Sequence, residues 1–286
     1  MKLSHIVPLL GAIGACLAFS VHLQAATLAN FDDGNGAVSP DQFVGTAGDG
    51  WAGAWSGTGT SSTVTTTNPL NGAGDPYLSS GGTGSGNRTL RRQFSSPNPS
   101  NPYSIRWQWR FDGNFSQFGQ ANDRIHFFGD NSLEGGSGSG NSWLIGVTAN
   151  RSGFGDVNGE FYFFDGSGGS GFSVANMFDT DLVLQDDTIY NFEVIVDPAS
   201  ATYSASVTDG INSASADGLG FRNGTPGVYD ILHFGMSAST GGDDLTFALD
   251  SISIAETPEP ASIALWSLIG VVGLGFGWRR CRASKC

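Results

Sequence analysis

Between residues 26 and 257 the apolar residues recur at every second position, and no stretch sustains a 3.6-residue period. In Ser104–Phe111, Ile105, Trp107, Trp109 and Phe111 fall on one face, and Ser104, Arg106, Gln108 and Arg110 on the other. Tyr190–Asp197 and Thr202–Thr208 alternate in the same way around Pro198-Ala199-Ser200, which reads as a hairpin turn. Ser142–Thr148, Glu160–Phe164, Asp230–Met236 and Leu245–Ile254 complete the set of predicted strands, separated by Gly/Ser/Asn-rich turns. In the last of these, Leu245, Phe247 and Leu249 keep one phase and Ile252 and Ile254 the other, which predicts a β-bulge at Asp250-Ser251. Many antiparallel strands, glycine-rich turns and no helical period predict an all-β fold, a two-sheet antiparallel jelly-roll sandwich.

The two ends follow a different pattern. Residues 1–25 read as a secretory signal peptide forming a signal helix: Lys2, then a mostly apolar run from Ile6 to Val21, then Ala25 as the cleavage position. Ile13-Gly14-Ala15-Cys16 offers the alternative of a lipidated Cys16. At the other end, Ala261–Trp278 is apolar apart from Ser262 and Ser267. As a helix its 18 residues span about 27 Å, enough for a hydrocarbon core of roughly 30 Å. Trp278 is suited to the membrane boundary, and Arg279 and Arg280 to its cytoplasmic side. Pro258 and Pro260 stop the helix from extending backwards and leave Pro258-Glu259-Pro260 extended. The predicted division is therefore 1–25 signal peptide, 26–256 β-sandwich and 257–286 tail, the tail comprising the motif 258–260, a transmembrane helix 261–278 and a basic end 279–286.

Pro-Glu-Pro followed by Ala-Ser, an apolar helix and an Arg-rich end resembles the PEP-CTERM sorting signal of Gram-negative bacteria. The resemblance covers about a tenth of the chain. It implies that Pro258, Glu259 and Pro260 are recognised by exosortase, with signal peptidase acting at the other end. It also implies transient anchoring in the inner membrane, then release to the cell surface or an exopolysaccharide matrix. An ordinary C-terminal anchor is the alternative. The sandwich resembles lectin-like domains of the concanavalin A/laminin-G type. The likeness lies in Phe31-Asp32-Asp33-Gly34 near the start, Gly50-Trp51 to Trp55, the paired strands 190–208 and the closing Ala248–Ile254. Galactose-binding-like carbohydrate modules share such start-and-end matches.

Composition narrows the partners. The region 26–257 has no Lys and no Cys, and carries eight Arg against twenty-five Asp and Glu; the whole chain has a net charge of −13. Such a surface repels nucleic acid, which excludes that partner class. Cys16, Cys281 and Cys286 all lie in the terminal segments, so no disulfide framework supports the sandwich.

Catalytic chemistry is poorly represented. His126 and His233 sit in apolar strand contexts and read as packed residues, not catalysts. There is no G-x-S-x-G elbow and no H-E-x-x-H zinc motif. Asp179 and Asp181 have the i,i+2 spacing that paired carboxylates need on a strand, but Met177–Leu182 reads as a turn. In the carbohydrate-binding jelly rolls that the sandwich resembles, an early acidic residue and one in the last strand share a structural calcium ion. By that resemblance Asp33 and Asp250, with Asp32 beside the first, are the calcium ligands. Trp51 and Trp55, in a Gly-rich loop, are the candidate exposed platforms for a sugar. The expected function is that of an exported, non-enzymatic structural, adhesive or glycan-binding protein. The alternative is a polysaccharide-active enzyme on the same scaffold, requiring two convergent carboxylates.

Overall fold

A computed structural model of the chain describes residues 27–31, 37–38, 50–84, 86–95, 98–115, 123–132, 140–148, 159–168, 174–238 and 244–257. The signal peptide, Asp32, Asp33 and the whole tail from Pro258 onward lie outside the described residues. Among the described residues no helix is long and apolar enough to cross a membrane.

The first eight strands are β1 (Thr27–Ala29), β2 (Ala37–Val38), β3 (Ser56–Thr58), β4 (Ser61–Thr65), β5 (Tyr77–Gly81), β6 (Gly86–Gln93), β7 (Tyr103–Phe111) and β8 (Arg124–Asp130). The second eight are β9 (Asn141–Thr148), β10 (Glu160–Phe164), β11 (Met177–Val183), β12 (Ile189–Asp197), β13 (Thr202–Thr208), β14 (Ser213–Gly220), β15 (Ile231–Ala238) and β16 (Phe247–Glu256). They form two sheets. One has nine strands in the order β14-β13-β12-β7-β16-β5-β4-β2, with β1 also paired to β16; the other has seven in the order β11-β10-β9-β8-β15-β6-β3. Every pairing is antiparallel. The all-β two-sheet sandwich expected from the sequence is the fold observed.

The inward faces supply the core. On β7, Ile105, Trp107, Trp109 and Phe111 are all buried, as alternation requires. The Trp107 ring stacks on Phe192 of β12 at 4.8 Å and meets Phe127 and Phe234 of the other sheet edge-on. Each such aromatic pair adds about 0.5–1.5 kcal/mol beyond the area it buries. The β12–β13 hairpin is closed by Asp197, whose Oδ1 accepts the amides of Ala199 and Ser200.

The predicted bulge in β16 is present. Its register against β7 shifts between Asp250 and Ser253, and Ser251 has a φ of 52°. As a result Leu245, Phe247 and Leu249 before the shift, and Ile252 and Ile254 after it, all enter one core. Met177–Leu182 is not a turn: it belongs to β11, the edge strand of the seven-stranded sheet. Its polar run suits an edge, because only one side of an edge strand is paired. His233 is buried and His126 half-buried, though not between the sheets. Their neighbours Ile125, Phe127, Leu232 and Phe234 fill the core, so His126 and His233 point to the outer face of the seven-stranded sheet.

Candidate functional site

The edge pair β10–β11 gathers three carboxylates. Glu160 opens β10 opposite Val183, and Tyr162 already faces Asp179. Thr180, Asp181 and Leu182 therefore oppose the single residue Phe161, which makes a bulge. Asp181 sits in it at φ 56°. The Thr180 hydroxyl donates to the Phe161 carbonyl at 2.6 Å and accepts the Leu182 amide at 3.2 Å, so the side chain takes up the strand's unpaired groups. The distortion brings Glu160, Asp179 and Asp181 together, with one carboxylate oxygen from each within 4.8 Å of the others.

Glu160 is buried while Asp179 and Asp181 are exposed. Burial, which penalises the ionised form, and then the neighbouring Asp179, which bonds the protonated acid and repels a second negative charge, push the Glu160 carboxyl up to about 7. Three hard oxygens at this spacing can hold a divalent cation such as calcium. Paired catalytic carboxylates stand roughly 5–10 Å apart across a sugar, and this group is tighter. Asp181 also lines an open hollow of about 540 Å³ shared with Gln185 and the β13–β14 hairpin residues Asp209 and Asn212. The sequence contained Asp179 and Asp181 at the right spacing. The missing signal was Glu160, which only strand pairing brings to them.

The residues expected to bind calcium and sugar fall elsewhere. Asp33 lies outside the described residues. Asp250 sits in the β16 bulge, fully buried, far along the chain from the acidic group. Its Oδ1 accepts the Ser251 amide at 2.6 Å and its Oδ2 accepts the Asn71 amide nitrogen at 2.8 Å. Burial comes first, then the charge of Asp75, in raising the Asp250 carboxyl to about 7. Asp250 is thus tied into a local hydrogen-bonded corner with the loop that precedes β5.

Trp55 is not an exposed platform: its relative exposure is 0%, and it packs on Phe234 of the core. Trp51 is half-buried, and its indole nitrogen donates to the Leu28 carbonyl at 2.7 Å. The Arg92 guanidinium lies 4.3 Å from the Trp51 ring centre and 5.4 Å from that of Trp55, and its Nε donates to Gly53. The Gly-rich loop folds its two indoles inward around a buried arginine because apolar ring area is worth more inside than in water. The sorting motif Pro258, Glu259 and Pro260 and the anchor residues Ala261, Trp278, Arg279 and Arg280 lie outside the described residues.

No protein-family model matches the sequence, and comparison with curated proteins yields no match. Solved structures do resemble it. The catalytic domain of a GH131 β-glucanase from Podospora anserina has a TM-score of 0.49 at 10% identity, covering 80% of this chain and 94% of that one. The exoplasmic/lumenal domain of VIP36, in a Ca²⁺- and Man2-bound form, has a TM-score of 0.47 at 10% identity, covering 81% and 90%. Peanut lectin bound to a nine-residue peptide has a TM-score of 0.46 at 14% identity, covering 77% and 97%.

Proposed function

We propose that the chain is an exported cell-surface or extracellular-matrix protein of a Gram-negative bacterium, sorted by its C-terminal tail. Its β-sandwich serves a non-enzymatic structural, adhesive or glycan-binding role. Exosortase and signal peptidase are its processing enzymes in this reading, and an exopolysaccharide is its surrounding or ligand.

The observation that supports this most is where the sandwich ends. β16 stops at Glu256, two residues before Pro258. The Thr257 amide donates to the Pro102 carbonyl, so the fold uses the chain up to the residue before the motif. β1 and β16 pair antiparallel, with Thr27 opposite Ile254. The strands nearest the two junctions are therefore neighbours, and cutting at both removes no strand among the described residues. Substituting all three residues of Pro258-Glu259-Pro260 by alanine tests the reading in the native host. Retention of the variant in the membrane fraction, while the parent is released, is the expected result; equal release of both refutes sorting through the motif.

A further inference from the structure

The loop between β4 and β5 does not stand away from the sandwich. Thr65 and Tyr77 pair at its base, and residues 66–76 fold back over the outer face of the nine-stranded sheet. Leu70 packs with Tyr77 and Ala248 in a small apolar cluster separate from the core, with Ile189 against it. The Tyr77 hydroxyl donates to the Thr67 carbonyl, and Arg110 Nη1 donates to the Asn68 carbonyl at 2.8 Å. These contacts fix the first half of the loop. Residues 71–75 are held differently. Asn71 Nδ2 donates to Asp250 Oδ2 at 2.8 Å and to the Ser251 hydroxyl at 3.0 Å. The protonated Asp250 carboxyl in turn donates to that of Asp75. Gly72 and Gly74, between these two anchors, are exposed, and a Cβ at either would meet nothing.

Two carboxyls in contact share one proton far more readily than they carry two charges. Asp250 is 1% exposed and Asp75 half-buried, so water screens their repulsion poorly. Burial first, and the charge of Asp75 after it, raise the Asp250 carboxyl to about 7. Across the ladder Asp250 faces Gln108, whose Oε1 is buried without a partner. Water admitted to this corner satisfies that oxygen, which favours opening once the proton is lost. The neighbouring charges on β7 are Arg106, paired with Glu193 of β12, and Arg110, paired with Asp112. Burial opposes the charge of Arg110, but the bond to Asp112 outweighs it and the guanidinium is raised; burial also raises Tyr77 of β5. Both therefore keep their charge state between pH 5 and pH 9, and so do their bonds to residues 67 and 68.

We propose that Asp75 and Asp250 form a pH latch on this loop. While they share a proton, residues 71–75 stay down on the sheet. When the proton is lost, the two charges push that tip off the corner, and residues 67–70 remain docked. With Asp250 at about 7 in the closed form and 3.8 in the open one, the open-to-closed ratio rises up to about a hundredfold between pH 5 and pH 9.

A nitroxide spin label on Gly72→Cys reads the tip, because that position is exposed and roomy. The full chain is used in detergent, with Cys16→Ser, Cys281→Ser and Cys286→Ser so that one thiol is labelled. Electron paramagnetic resonance spectra should show an immobilised label at pH 5 and a mobile one at pH 9, reversibly, with a midpoint near pH 7. A label on Ile211→Cys, at the tip of the β13–β14 hairpin, should be equally mobile at both. Asp75→Asn offers the ionised Asp250 an amide donor in place of a second charge, so the Gly72 label should stay immobilised at pH 9. The latch is overturned by a Gly72 label equally mobile at pH 5 and pH 9, or by a transition that Asp75→Asn leaves unmoved. An Ile211 label that loosens together with the Gly72 label also overturns it, because the whole sandwich is then loosening.

Discussion

Asp250 gives the most direct quantitative handle on the sandwich. Its carboxyl is buried in the β16 bulge and raised from 3.8 to about 7. An acid raised in the folded state binds its proton more tightly there than in the unfolded chain. Its favourable contribution is complete below pH 3.8 and is lost as pH rises through about 7. At about 1.4 kcal/mol per pH unit, the ceiling on that loss is ~4 kcal/mol. Local opening of the bulge and entry of water bring the expected value nearer to ~2 kcal/mol. Asp250→Asn keeps the shape and an acceptor for the Ser251 amide. Its new amide nitrogen faces Asp75, while Asn71 keeps its bond to the Ser251 hydroxyl at 3.0 Å. Loss of the Asn71–Asp250 bond costs about 1 kcal/mol. Relative to the parent, the variant should gain stability from pH 4 to pH 8, ending about 1 kcal/mol above it. Urea unfolding at pH 4, 6 and 8 measures this. A parent-minus-variant difference that is flat across that range would falsify the assignment of a raised, buried acid to Asp250.

Other perturbations follow from the same structure. His126 is lowered to about 3 and His233 well below 6.5, both first by burial. Their folded forms resist protonation, so stability falls as pH drops below 6.5. His233→Leu should lessen that fall between pH 6.5 and 4.5 in thermal unfolding, and an unchanged acid limb counts against it. Gly146→Ala forces the Tyr162 ring off its seat and should cost about 1–3 kcal/mol in urea unfolding; a neutral effect contradicts the close packing of that face. Glu160→Gln removes a carboxyl pushed up to about 7 by burial and Asp179, so the variant should exceed the parent in stability at pH 8 and match it near pH 4.5. Equal melting temperatures at pH 8 refute this.

Much of the architecture could be read from the sequence because alternation reports burial directly. β7, β9, β10, β12, β13, β15 and β16, whose apolar residues alternate or run together, were legible to within a few residues. So was the β16 bulge, because a phase change in five core side chains has no other cheap explanation. β4, β5 and β14 were not legible, since Ser, Gly and Ala alternate too weakly to distinguish a strand from a loop. β11 was misread because aspartates resemble a turn when their strand lies at an edge. Trp55 was misjudged for a related reason: a glycine-rich loop looks exposed in sequence, yet it can fold an indole inward onto Phe234. The acidic group and the Asp75–Asp250 contact depend on how distant segments meet, and no local spacing encodes that. The terminal segments, by contrast, speak through motif and hydropathy alone.

Intact-mass analysis of the protein from its own cells, separated into membrane and extracellular fractions, tests the central claim most directly. The account predicts a released species that begins near Ala26 and ends near Pro258–Pro260. A protein that keeps Arg279–Cys286 and is found only in the membrane would contradict it.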